Sequence, residues 1–331
     1  MREIIRRHTQ NGTMIKHGRP SLLAFTLLLL LASSTLPHTN VESAVAAALC
    51  RRTPQRHIVQ AHGASDTGLV EMGRAANLSH SAKVPSEIKI VSYNSRWRGG
   101  DDLRKLIQLL KQDPEIGEAA IIGLQEVDRN KKRTRHVNTI KLIADDLGKH
   151  YAWAAPPTAK PNQEEETGVA ILSSYPLTDV QRIVLPHAGP GERRRVAIGA
   201  TVSIPEAPLR FYSVHSENRM SVEKKLEQTK AVLKDLAKHP KDLRAVILGD
   251  LNTWESDAVD LTSELFVKES FTTPFPNGQS TFMRRIIIPI KFKLDWIWLR
   301  GLEPTRHGID KKIGLSDHFP LWTVVRLNRP T

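Results

Sequence analysis

One cysteine, Cys50, stands in a chain of 331 residues, so no internal disulfide framework and no Cys-based zinc site can form. Aromatic residues make up only 5%, and none falls between Phe25 and Tyr93. Only one apolar run is long, which excludes a polytopic membrane protein. There is no Gly-rich dinucleotide fingerprint and no Walker loop, so no nucleotide cofactor is implied. Negative charge is in deficit: Lys and Arg number 48 against 35 Asp and Glu, a formal charge of +13. The hydrophobic fraction of 40% is nevertheless too high for a disordered polyelectrolyte.

The apolar run identifies an address. Residues 22–32 are almost purely apolar, Lys16 and Arg19 precede them, and Ala32-Ser33-Ser34 offers a small-x-small cleavage site. Residues 1–36 are therefore expected to be a secretory signal peptide or an uncleaved signal-anchor. The chain is then exported, periplasmic or secreted, or else tethered with membrane association through this segment. Leu49 stands where a lipoprotein box needs a small residue, so Cys50 is not expected to carry lipid. Residues 37–85 lack a period of 2 or 3.6 and are expected to form a flexible linker.

The globular part is expected over residues 86–331. It carries +7 and the segment before it +6. A moderately basic body suits an anionic partner, either nucleic acid or a phosphorylated headgroup. No protein partner is implied. Strands are expected at residues 88–93, 119–124, 168–172, 180–185, 195–204, 209–215, 244–249, 294–299 and 321–327. Helices are expected at 101–111, capped by Asp101 and Asp102, at 139–147 and at 222–237. Strand runs mixed with helices suggest sheet packed on sheet, with helices outside.

The informative feature is how the strands end. Asn94, Glu126, His215, Asp250 and Asn252 close apolar strands. Asp295 sits inside one, and Asp317-His318 precede the last. Alone, each has a bland reading as a turn former, cap or satisfied core group. Six such endings in one domain imply one shared rim, and carboxylates crowded there repel unless a cation sits among them.

These residues fall into the strings Tyr93-Asn94, Gln125-Glu126, Thr167-Gly168-Val169-Ala170-Ile171-Leu172-Ser173, Gly249-Asp250-Leu251-Asn252, Leu294-Asp295-Trp296-Ile297 and Ser316-Asp317-His318-Phe319-Pro320-Leu321. In order and spacing, over about residues 87–327, they resemble the endonuclease/exonuclease/phosphatase superfamily, in particular its bacterial exported or membrane-tethered members. The resemblance implies an α/β fold, a four-layer α/β/β/α sandwich, and a Mg²⁺- or Mn²⁺-dependent phosphoesterase. It implies Glu126 as metal ligand, with Asn94 and Asp317 completing or supporting the shell. It implies Asp250 as the group that orients or deprotonates water and Asn252 as a donor to phosphate. Asp295 would fix the tautomer of His318 and raise its pKa, and His215 would be a donor or leaving-group acid. Asp250 and His318 both remain open as the general base. Arg195, which begins a strand, is expected to contact the substrate phosphate.

The local string Ser213-Val214-His215-Ser216 departs from the Asn-Thr-His-Leu of many members. Lys293-Leu294-Asp295-Trp296 departs from the string of the inositol polyphosphate phosphatases. The leading expectation is a nuclease-like phosphodiesterase. A phospholipase C or sphingomyelinase-type lipid enzyme is the alternative, and a non-catalytic binder on the same fold a further one. Residues 156–167 and 272–289 are the stretches expected to set substrate.

Overall fold

The computed structural model describes residues 66–75, 85–157, 166–284 and 289–327. The expected signal or anchor at residues 1–36, Cys50, and most of the expected substrate loop at 156–167 lie outside the described residues, as does the Ile286-Ile287-Ile288 triplet. No described helix is long and apolar enough to cross a membrane.

Two mixed sheets form the body. In chain order the elements of the first half are β1 (Val70–Arg74), β2 (Glu87–Asn94), α1 (Gly100–Gln112), β3 (Ile121–Arg129), α2 (Thr139–Leu147), β4 (His150–Ala154), β5 (Glu166–Ser173) and β6 (Leu177–Val184). There follow β7 (Val196–Val202), β8 (Leu209–His215), α3 (Val222–Leu236), β9 (Arg244–Asp250), α4 (Ser256–Lys268), β10 (Phe282–Arg284), β11 (Ile290–Phe292), β12 (Asp295–Arg300), β13 (Glu303–Ile309) and β14 (Leu321–Arg326). A seven-stranded sheet has the order β1-β4-β5-β3-β2-β14-β13, and a five-stranded sheet the order β12-β9-β8-β7-β6.

Three apolar clusters define the layers. Ile90, Ile121, Ile171, Ile198, Phe211 and Leu248 belong to the one between the sheets. Leu103, Leu106, Ile107, Ile140 and Ile143 seal α1 and α2 onto the outer face of the first sheet. Val232, Leu236, Val259 and Phe266 seal α3 and α4 onto the second. The expected α/β/β/α sandwich is therefore the observed one. At Gly123 a side chain would run into Leu248, so the absence of one lets the sheets approach.

Each sheet holds one parallel pair at its centre, β2 with β3 and β8 with β9. Helix α1 joins the first pair and α3 the second, the crossover that parallel strands require. Ligands of such sheets gather at the carboxyl ends of the parallel strands, and here those ends carry Asn94, Gln125, His215 and Asp250.

Three expectations change. Residues 70–74, inside the expected linker, form β1 and pair with β4 at a sheet edge. Glu71 fastens this strand: its carboxylate accepts from Arg129, from the Asn138 amide and from Tyr151 Oη at 2.7 Å. No local period advertises a strand held by partners about sixty to eighty residues away. Helix α1 is capped at Gly99 without a side-chain bond, and Asp101 and Asp102 sit in its first turn, where they complement the helix dipole. β3 does not close at Glu126 but continues to Arg129.

Candidate active site

Register brings the polar side chains together. Antiparallel pairing sets Asp295 opposite Asp250, and parallel pairing sets His215 beside it. Paired residues of neighbouring strands share a face, so three polar side chains line up at the end of the second sheet. Asn94 reaches over from the first sheet, where its Nδ2 donates to Asp250 Oδ2 at 3.1 Å. A second bond crosses between the sheets just beneath, from Gln125 Nε2 to Ser213 Oγ at 3.0 Å.

Glu126 arrives by a different device. The register of β3 against β5 shifts between Gln125 and Val127, and Glu126 takes φ 56°. A bulge re-aims a side chain that strict alternation would have sent elsewhere. Its carboxylate stands 4.0 Å from His215 Nε2. The next turn is strained as well: Arg96 and Trp97 have φ 49° and 47°. The Arg96 N–H donates to Asn94 Oδ1, its guanidinium holds Asp317 at 2.9 Å, and the Trp97 N–H donates to the Glu126 carbonyl. The three expected metal-shell residues are thus tied together by one turn, with Asp317 joined through Arg96.

Asp250 is the hub. Its Oδ1 accepts the Asn252 N–H at 3.0 Å. Its Oδ2 lies 3.6 Å from His215 Nε2 and 3.7 Å from His318 Nε2. Gly249 allows the approach: with φ 129° it packs where a side chain would strike the Val214 carbonyl oxygen. Asn252 also takes a left-handed φ of 53°, and its Nδ2 donates to the Ser216 carbonyl at 2.9 Å. Asp295 Oδ2 binds His318 Nδ1 at 2.8 Å and accepts from Thr281 Oγ1 at 2.9 Å. Its Oδ1 is buried with no hydrogen-bond partner among the described residues.

Burial pushes the Asp250 carboxyl up to about 7, with the Asp295 and Glu126 charges adding and the His318 charge opposing. Burial alone would lower His318, but the Asp295 and Asp250 carboxylates overcome it and carry the imidazole up to about 10. His215 goes the other way, held well below its usual value by burial and then by Arg195 and Arg193.

The residues fit a divalent cation. Glu126 and Asn94 offer hard oxygen donors of the kind Mg²⁺ and Mn²⁺ take. Asp250, Asp295 and His318 also present ligand atoms within 4.8 Å of one another. The Asp295 oxygen left without a partner, and the Asp295 and Glu126 charges that both disfavour the ionised Asp250, mark negative charge crowded around that point.

All nine expected site residues enter one contact network, although Arg195 is engaged by Glu217 and His215 at 3.1 and 3.3 Å and reaches the centre only through the latter. Thr281, Arg96 and Glu217 were not foreseen. Thr281 and Arg96 carried no local signal. Glu217 had one: an Arg193-Arg194-Arg195 run beside a strand calls for a counter-charge.

A family model described as the Endonuclease/Exonuclease/phosphatase family matches residues 91–318. The chain belongs to this family, whose members hydrolyse phosphoric esters. Among solved structures it is similar to an endonuclease/exonuclease/phosphatase from Beutenbergia cavernae DSM 12333, with 15% identity and TM-score 0.59 over 74% of this chain and 72% of that one. It is also similar to D. rerio TDP2 complexed with single strand DNA product, at 15% identity and TM-score 0.58, over 73% of this chain and all of that one. A third is ANGEL2, a 2',3'-cyclic phosphatase in complex with adenosine-2',3'-vanadate, at 15% identity and TM-score 0.55, over 73% of this chain and 96% of that one. Likeness at such identity is a likeness of fold. No curated protein matches the sequence.

Proposed function

We propose that this chain is a divalent-metal-dependent phosphodiesterase, nuclease-like in substrate, that uses in-line attack of water. The observation that carries the reading is the convergence of His215, His318 and Asn94 on one Asp250 oxygen, with Asp295 behind His318. Asp250, with its carboxyl raised towards neutrality, accepts the proton of the attacking water. His318, protonated against Asp295, faces the phosphate and stabilises the charge that grows there. The second N–H of the Asn252 amide donates to a non-bridging oxygen. Glu126 and Asn94, with Asp317 in support, would hold Mg²⁺ or Mn²⁺. Bound there, the ion supplies Lewis-acid polarisation of a phosphoryl oxygen. The basic body favours a polyanionic substrate, and the apolar run at residues 22–32 favours action outside the cytoplasm or from a membrane tether.

The test uses the full chain, since β1 belongs to the first sheet. Bis-(p-nitrophenyl) phosphate should be hydrolysed with Mg²⁺ or Mn²⁺ and not in EDTA, and Glu126→Gln should raise the metal concentration required. Plasmid DNA and RNA should be cleaved, with loss in Asp250→Ala. Turnover of sphingomyelin or phosphatidylcholine alone would reassign the substrate, and equal rates with and without EDTA would end the metal assignment.

A further inference from the structure

Glu217 is fully buried two residues beyond His215. Its carboxylate accepts from Arg193 Nε at 2.9 Å, from Arg195 Nε at 3.1 Å and from the Arg219 N–H at 3.1 Å. Its own N–H donates to Gln228 Oε1 on α3 at 2.9 Å, and Gln228 donates in turn to the Pro186 carbonyl. Gly189 leaves the room that the carboxylate fills. Glu217 is therefore held from several sides, and Arg195 is braced against it.

With its Nε on Glu217, Arg195 brings Nη1 to 3.3 Å from His215 Nδ1. A guanidinium has N–H donors only and keeps its charge. The Nδ1 atom beside it must therefore present a lone pair, which leaves the ring proton on Nε2. That atom stands 3.6 Å from Asp250 and 4.0 Å from Glu126, beyond hydrogen-bond length to either. To act as a leaving-group acid, His215 would need protons on both nitrogens, and Arg195 occupies the place of one.

We propose that Arg195 is a positioning residue: braced by Glu217, it locks His215 in the Nε2–H tautomer, so that His215 acts as a hydrogen-bond donor to a phosphoryl oxygen between Glu126 and Asp250 and not as a proton-transfer acid. The catalytic meaning rests on the phosphodiesterase reading, but the tautomer does not.

The test is long-range ¹H–¹⁵N correlation on the full chain labelled in histidine, with His215 assigned through His215→Gln. In the wild type, Nδ1 should resonate as an unprotonated acceptor and Nε2 as a protonated nitrogen. In Arg195→Ala the Nδ1 resonance should leave that position. Arg193 still neutralises Glu217 in this variant, which preserves the fold. Its kcat should fall about tenfold with KM little changed. A protonated Nδ1 in the wild type overturns the proposal. So does an unmoved Nδ1 in Arg195→Ala, or a rise in KM alone, the signature of direct substrate binding. The expected resonances in a protein that hydrolyses no phosphodiester would uphold the tautomer lock and end the phosphodiesterase reading.

Discussion

His215 and His318 approach the same oxygen of Asp250, at 3.6 and 3.7 Å, and their surroundings drive them apart. His318 backs onto Asp295 and is carried up to about 10, whereas His215 backs onto Arg195 and is held well down. Two imidazoles on one carboxylate thus sit in opposite electrostatic surroundings, one favouring the charged ring and one the neutral ring.

That division predicts a titration. At neutral pH the His318 ring should be protonated by NMR, and Asp295→Asn should bring its titration down towards the ordinary imidazole range. A neutral His318 at pH 7 in the wild type would remove the cation from the mechanism.

Stability should follow the same proton. The folded value of His318, about 10, lies above the ordinary imidazole value of 6.5 that the unfolded chain has. Its contribution is full below pH 6.5 and is lost as pH rises through 10. Urea midpoints for His318→Gln should therefore fall furthest below wild type near pH 6 and close the gap towards pH 10. Lys149 runs in the opposite sense. Burial pulls its amine down to about 8, so the cost of its charge is full below that pH and is relieved as pH rises towards 10.5. Lys149→Met should stabilise at pH 7 and lose that advantage above pH 10.

Activity should depend on Asp250 as a base. The value near 7 places an acid limb there, with kcat/KM falling as pH drops through it. Asp250→Asn should remove the limb and cost ~10²-fold or more in rate, the scale of a positioned acid or base. An intact limb in the variant would assign the base elsewhere.

Gly249→Ala should damage the fold directly. It would force a side chain into a backbone at φ 129° and against the Val214 carbonyl. Strain of that kind costs ~1–3 kcal/mol before the clash is counted. Chemical denaturation would read the loss.

Glu71→Ala should loosen β1 without unfolding the rest, because Arg129 keeps its bond to Glu166. Amide exchange across Val70–Arg74 should accelerate while β2 and β3 stay protected.

The sandwich and most of the site were legible because both rest on short-range signals. Apolar runs mark buried strands, and a polar residue at the end of such a run, as at Asn94 or His215, points to the rim. What escaped depends on distant partners. β1 reads as linker because Glu71 finds Arg129 and Tyr151 only after folding. The bulge at Glu126 left no mark in a run that looks finished at Leu124. Helix α4 was missed because its buried face is sparse: Ala258, Val259, Thr262 and Phe266. Arg195 stands beside His215 because Glu217, a partner that no period reveals, holds its guanidinium there.

The Asn94–Asp250 bond joins residues 156 positions apart, one from each sheet. Neither half of the molecule owns a complete set of reacting groups. A chain severed between α3 and β9 would yield two inert fragments, and turnover would return only with the reassembly of the seam, so hydrolysis itself would report on whether the halves have closed.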